Sequence, residues 1–208
     1  MKKSLMVIMI GLLCLSAFSM LASRIKAVEP PISATVDIGP DKLNLRSRGS
    51  WTNAYVELPS DYDVNSIVVS SILLNGTVPV DPSAPTLIGD YDSDGIPDLM
   101  VNFNRTDLSN FVLSKGVIYG DVDLNLTGKL IDNTPFEGHD TIKVSSLAGD
   151  VNCDGTVNIL DISAASGIYG SKDGDPNWNP NANFAPLYDV INIFDLITCI
   201  YHYGQVIP

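Results

Sequence analysis

GDVNCDGTVNILD, residues 149–161, sets Asp150, Asn152 and Asp154 at alternate positions and follows them at once with Gly155. Counted from Asp150, the residues Asp150, Asn152, Asp154, Gly155, Thr156, Asn158 and Asp161 stand at positions 1, 3, 5, 6, 7, 9 and 12 of a calcium loop. Calcium takes roughly six to eight oxygens, and alternate side chains of a tight loop converge on one ion. The glycine permits the sharp turn, Thr156 offers its backbone carbonyl, and Asp161 reaches back from the first turn of a helix, where the dipole favours a carboxylate. An Asn/Asp-rich turn that merely favours water requires neither this spacing nor the glycine. The expected cofactor is Ca2+.

The loop opens one half of an internal repeat. NILDISAASGIYG (158–170) aligns with NIFDLITCIYHYG (192–204) at an offset of 34 residues, and each copy reads as a helix of about three turns ended by Gly. SKDGDPNWNPNANF (171–184) is a connecting loop, with Trp178 expected as a packing anchor between the helices. At the same offset the second loop has Phe184, Pro186 and Tyr188 in place of Asp150, Asn152 and Asp154. Asn192 and Asp195 keep their places, Asn183 lies one residue upstream, and Asp189 replaces the glycine. This degenerate site, Asn183, Asp189, Asn192 and Asp195, binds calcium only if the loop bulges and lends backbone carbonyls.

Residues 149–204 resemble the type I dockerin family, in the duplicated loop–helix and in Asp, not Glu, at loop position 12. The resemblance implies two calcium-loaded, EF-hand-like loop–helix halves packed antiparallel, docking onto a cohesin domain, often in polysaccharide-degrading systems. Where family members often present Ser-Thr to the partner, this chain has Ile159-Leu160 and Ile193-Phe194. Exposed, these four residues form a partner-seeking apolar patch; buried, they join the module to its own neighbouring domain.

Upstream, residues 33–146 read as short strands and turns. TVDI, KLNL, NAYVELP, SIVVSSILL, PDLMVNF, GDVDLNLTG and DTIKV are the segments, and Val122, Leu124 and Leu126 point inward in the clearest alternation. The expectation is an antiparallel β-sandwich of about 110 residues, with one short helix over 106–116. The fold class is therefore mostly β sandwich plus a small α module at 147–208, joined by the small-residue linker 145–149. GDYDSDGIPDL (89–99) is a second metal candidate: Asp90, Asp92, Asp94 and Asp98 surround Gly95, resembling integrin-type repeat loops in which these carboxylates and the Ile96 carbonyl are ligands. The whole segment also looks like a module of exported prokaryotic proteins that often precedes dockerin-like tails.

Lys2-Lys3, then an uncharged run from Ser4 to Ser23, predict a signal peptide or N-terminal anchor over residues 1–27. The expected location is extracellular or at the cell surface, with membrane attachment only if that segment is uncleaved. The chain has 12 Lys and Arg against 24 Asp and Glu, and Lys2, Lys3, Arg24 and Lys26 are four of the basic ones. The exported part thus carries 8 basic and 24 acidic residues, a net −16 that repels nucleic acid and suits divalent cations. Cys153 is expected to point outward from the loop and Cys199 to fill the helical core, a bridge between them being the alternative. Three sequons, at Asn75, Asn104 and Asn125, fit an exported chain.

No G-x-S-x-G, H-E-x-x-H or P-loop occurs, and His139, read as a turn residue, and His202 have no nucleophile beside them, so the chain is expected not to be an enzyme. The expected function is calcium-dependent attachment of the sandwich to a surface or secreted assembly through a cohesin-like or other surface protein. The alternatives are a carbohydrate-binding module displaying Trp51, Tyr55 and Tyr62, rings otherwise expected to cap the core edge, and a structural surface protein whose C-terminal module packs on its own sandwich.

Overall fold

In the computed structural model, which describes residues 30–185 and 189–207, the alternating stretch near residue 124 grows into the longest ladder of the chain. β9 (Tyr119–Lys129) pairs antiparallel along its whole length with β10 (Pro135–Ser145). Leu124 and Leu126 are fully buried and Asp121, Asp123 and Asn125 exposed, as period-two patterning dictates. Beyond β9 the sheet continues through β5 (Leu73–Leu74) and β6 (Val78–Pro79). The free edge of β10 receives β1 (Ile32–Ser33) and β3 (Lys42–Asn44), both parallel to it. The expectation of a wholly antiparallel architecture is therefore corrected. The N-terminal chain leaves this sheet at Ala34, crosses to the other, and returns to the same edge in the same direction.

The second sheet is antiparallel throughout, in the order β2 (Thr35–Gly39), β4 (Trp51–Glu57), β8 (Asp98–Asn104) and β7 (Leu87–Gly89). Ile38, Ala54, Val56, Val101 and Phe103 from it share one apolar cluster with Leu74, Leu124, Leu126, Phe136, Ile142 and Val144 from the first. Burial of such side chains contributes about 1.5–3 kcal/mol each. SIVVSSILL is not a strand: it folds as two 3-10 turns, Val64–Ser66 and Val69–Ser71, before the two residues of β5. Its Ile67 and Ile72, which directly follow the two turns, and Leu74 of β5 still reach the core. The short helix is α1 (Arg105–Ser114), capped by Asn104, whose side chain accepts from the amides of Thr106 and Asp107. His139, expected in a turn, is an exposed residue within β10.

The repeat yields α2 (Ile159–Gly167) and α3 (Ile193–Tyr201), 34 residues apart at both ends. Each half's exit pairs with the other half's loop: Gly170 N donates to Ile191 O and Gly204 N to Val157 O, both at 2.8 Å. The bridges Lys172↔Val190 and Thr156↔Val206 obey the same exchange, so the halves are related as by a two-fold axis. Their shared core is small: Val151, Ala165, Ala182, Phe184, Ile191 and Cys199, with Trp178 and Leu196 packed against it. A core of that size rarely sustains a unit of about 60 residues alone. Residues 31–208 form one compact unit. The segment expected to be a signal or anchor, 1–27, lies outside the described residues. No helix among the described residues is long and apolar enough to cross a membrane.

The crossing from one sheet to the other runs over Gly138, where a Cβ would lie 2.5 Å from both Ala34 O and Val36 Cγ2. Gly138→Ala is expected to cost about 1–3 kcal/mol through overpacking against backbone. Urea unfolding checks it: an unchanged midpoint would mean the crossing strand gives way freely.

Candidate metal centres and binding surfaces

Three loops carry the residues read as metal ligands. In the first, Asp150 and Asp161 are fully buried. The Asp150 carboxylate accepts from Asp154 N (3.0 Å), Gly155 N (2.9 Å) and Ser145 Oγ (2.6 Å). Asp161 accepts from Val151 N (2.8 Å), Asn152 N (3.2 Å) and Asn158 N (2.9 Å), the last closing a capping box with the Asn158 side chain. A carboxylate offers about four lone-pair sites, so each retains one beyond these three bonds. Asp154 accepts from Thr156 N and Asn152 Nδ2, and Asn152 Oδ1 from Asp154 N, which leaves oxygen capacity on both. The bridge to the C-terminus engages the Gly155 and Val157 carbonyls and not that of Thr156. Burial raises the Asp150 carboxyl above its ordinary range. Gly155 sits at φ 88° with the Tyr119 ring 3.0 Å from where a Cβ would be, so turn and overlying ring both require glycine. The donor types, two buried, hydrogen-bonded carboxylates with a third carboxylate in the same loop, are those a divalent cation takes.

The second half repeats this scaffold with a one-residue shift. Asp195 is fully buried and accepts from Phe184 N (2.7 Å), Ala185 N (2.8 Å) and Asn192 N (2.7 Å). Phe184 and Ala185 thus stand where Val151 and Asn152 stand in the first loop, and Asn183 takes the place of Asp150. The constant 34-residue spacing holds from the helices back through Asn158 and Asn192 to Thr156 and Val190; further upstream the second loop is one residue longer. Asn183 is buried, and its Oδ1 has no hydrogen-bond partner among the described residues. Asp189 is exposed, and residues 186–188 lie outside the described ones.

The third loop is where carboxylates come closest. Among the described residues, ligand oxygens lie within 4.8 Å of one another in two triplets, Asp90/Asp92/Asp98 and Glu57/Asp92/Asp94, whereas Asp150, Asp154 and Asp161 form no such triplet. Asx-type bonds shape the loop: Asp90 accepts from Gly95 N, Asp92 from Asp94 N and Asp94 from Ile96 N. Asp98, buried at the start of β8, accepts from Tyr91 N at 2.9 Å. Glu57 was not legible as a member, since it stands more than 30 residues upstream and arrives only through the β4–β8 register that sets it opposite Asp98. Its carboxyl is raised by partial burial and then by Asp94, Asp92 and Asp98.

Ile159, Leu160, Ile193 and Phe194 are 50–62% exposed. The C-terminal unit does rest on the sheets, but not through these four. Asn44 Nδ2 donates to Leu147 O and Asp150 O, Asn44 N to Asn181 Oδ1, and Asn181 Nδ2 to Lys42 O. Arg105, buried at this seam, donates to Ser47 Oγ and Asn181 Oδ1, with Nη1 unpartnered among the described residues, and burial lowers its guanidinium to about 10. Cys153, expected to point outward, is buried in the same seam, since the loop lies against the sheets on that side. Trp51 and Tyr55, expected to cap the core edge, instead stand on the outward face of β4, outside the core cluster.

No family model, curated protein or solved structure matches the chain.

Burial pushes both thiols, Cys153 and Cys199, up to about 12. They stay protonated at pH 8 and hence poorly nucleophilic. Mass spectrometry after iodoacetamide at that pH is expected to find both unmodified in the native chain and both alkylated in denaturant.

Proposed function

We propose that this is an exported, non-catalytic calcium-binding protein whose C-terminal repeat is a dockerin-like module, attaching a β-sandwich to a surface or secreted assembly through a cohesin-type partner. One observation carries the reading: the first turns of α2 and α3 expose equivalent apolar pairs, Ile159-Leu160 and Ile193-Phe194, related by the exchange that relates the two halves. Ile197, Ile200 and Tyr201 extend the exposed surface along α3. Neither helix contains Lys, Arg or Glu, and the single Asp of each is turned inward. Apolar surface of this extent, free of charge, suits a partner and not water.

Asp150, Asn152, Asp154, the Thr156 carbonyl and Asp161 hold calcium in this reading, and Asn183, Asp189, Asn192 and Asp195 form the weaker counterpart. Asp90, Asp92, Asp94, Asp98 and the Ile96 carbonyl, with Glu57 added, bind a further ion in the sheet domain. A bound cation neutralises buried carboxylates and stabilises the folded chain by mass action.

Asp154→Ala is expected to weaken calorimetric calcium binding at the first loop at least about tenfold, because the site loses one of few charged ligands. Unaltered affinity would remove that loop from the assignment. Docking is tested by calcium-dependent pull-down of the full chain with purified cohesin domains. Leu160→Asp with Phe194→Asp should abolish capture while leaving calcium-loaded melting unchanged; capture that survives both substitutions, or chelation, would sink the docking surface.

A further inference from the structure

We infer that the outward face of the four-stranded sheet, together with the loop carrying Trp178, binds a neutral polysaccharide chain. Along β4 the side chains of Trp51, Asn53, Tyr55 and Glu57 are half-exposed, while Thr52, Ala54 and Val56 between them are buried in the core. Successive outward residues of a strand stand about 6.6–6.8 Å apart. One face therefore carries two aromatic rings with an amide between them and a carboxylate beyond.

The C-terminal unit completes this face. Trp178 and Pro180 join Trp51, Asn53, Tyr55 and Asp173 around a cleft of about 250 Å³. Both rings are held in place. Trp51 Nε1 donates to Asp81 Oδ2 at 3.3 Å, and Trp178 packs against the small core in a loop tied down by Arg48 N donating to Asn183 O at 2.7 Å. A second hollow of about 220 Å³ shares Tyr55 and runs on past Thr35, Asp37 and Tyr91. The rings of Tyr55 and Tyr91 lie 4.4 Å apart, so aromatic surface is continuous from one hollow into the next.

The chemistry selects the occupant. A pyranose unit has an apolar C–H face that rests on an aromatic ring and a rim of hydroxyls that needs acceptors; this groove supplies rings alternating with Asn53, Asp37 and Asp173. Among the described residues neither hollow is lined by Lys or Arg, which disfavours an anionic glycan or a phosphate. An extended peptide docks by main-chain hydrogen bonds to a free sheet edge, but β4 is paired on both sides, by β2 and β8, and offers side chains only. Two hollows in line suit a chain of sugars in preference to a single one.

The inference is independent of the docking surface and can be tested apart from it. The chain has two tryptophans, and both line this cleft, so their emission reports the site directly. The full chain, in calcium, is titrated by fluorescence with soluble β-glucan, xylan, mannan and galactan, and run in native gels containing each. At least one should give a saturable emission change with gel retardation. Asp173→Ala, at an exposed position, and Tyr55→Ala should each weaken binding at least about tenfold, the scale of one lost ring or charged hydrogen bond, whereas Leu160→Asp should leave it unchanged. The proposal is overturned if no polysaccharide in the panel alters the emission, if binding is indifferent to Asp173 and Tyr55, or if oligolysine alone produces the saturable change.

Discussion

A fully buried carboxylate at the seam between sheets and helices organises the C-terminal half of this molecule. Asp150 takes the hydroxyl of Ser145 from the end of β10 and two amides from its own loop, while its backbone carbonyl accepts from Asn44 at the end of β3. One residue thereby belongs at once to the sheet, the seam and the loop. An ionised carboxylate is tolerated in such a place only where several donors face it; burial raises the Asp150 carboxyl above its ordinary range, and the hydrogen bonds from Ser145, Gly155 and Asp154 act against that rise. A cation bound there, as proposed, would offset that burial and couple the loop's occupancy to the packing of the C-terminal unit.

Arg105 poses the complementary problem. It is the largest fully buried side chain, and it donates to a serine and an asparagine, with no carboxylate hydrogen-bonded to it among the described residues. Its presence under the Pro180–Ala182 turn joins α1 of the sheet domain to the connector of the repeat. The small helical core and this polar seam therefore support one another: the core is too slight to stand by itself, and the seam is satisfied only when the core is docked. Packing the C-terminal unit this way consumes one flank of the repeat. The apolar pairs in the first turns of both helices remain exposed, and the cleft where Trp178 meets the outer face of β4 stays open.

Much of this was legible in the sequence. The period-two runs of β8 and β9, the short helix after Asn104, the duplicated helices and the twelve-residue loop each follow from local patterns that a strand, a cap or a turn requires. Where the reading failed, the deciding contacts were distant. Val68 to Leu74 are apolar enough for a strand, yet only two of those residues find a ladder partner on β9. Cys153 looks like an outward loop residue until the sheets are placed against it. The second loop's shift was visible as Asn183 one residue upstream of the repeat offset, but that this residue takes the place of Asp150 follows only from the hydrogen bonds of Phe184 and Ala185 to Asp195.

The sequence by itself determined the local architecture: which segments alternate, where helices begin and stop, and which loops concentrate carboxylates. Those properties depend on neighbours within a few residues, through backbone sterics, capping and side-chain period. Tertiary structure alone decided that Glu57 joins the Asp90–Asp98 loop, that Trp51 and Trp178 line one cleft, and that Asn44, Arg105, Asn181 and Asp150 meet in a buried seam. Each of these brings together residues more than 30 positions apart, and what sets their distance is the register of strands and the docking of two cores, which no local pattern encodes.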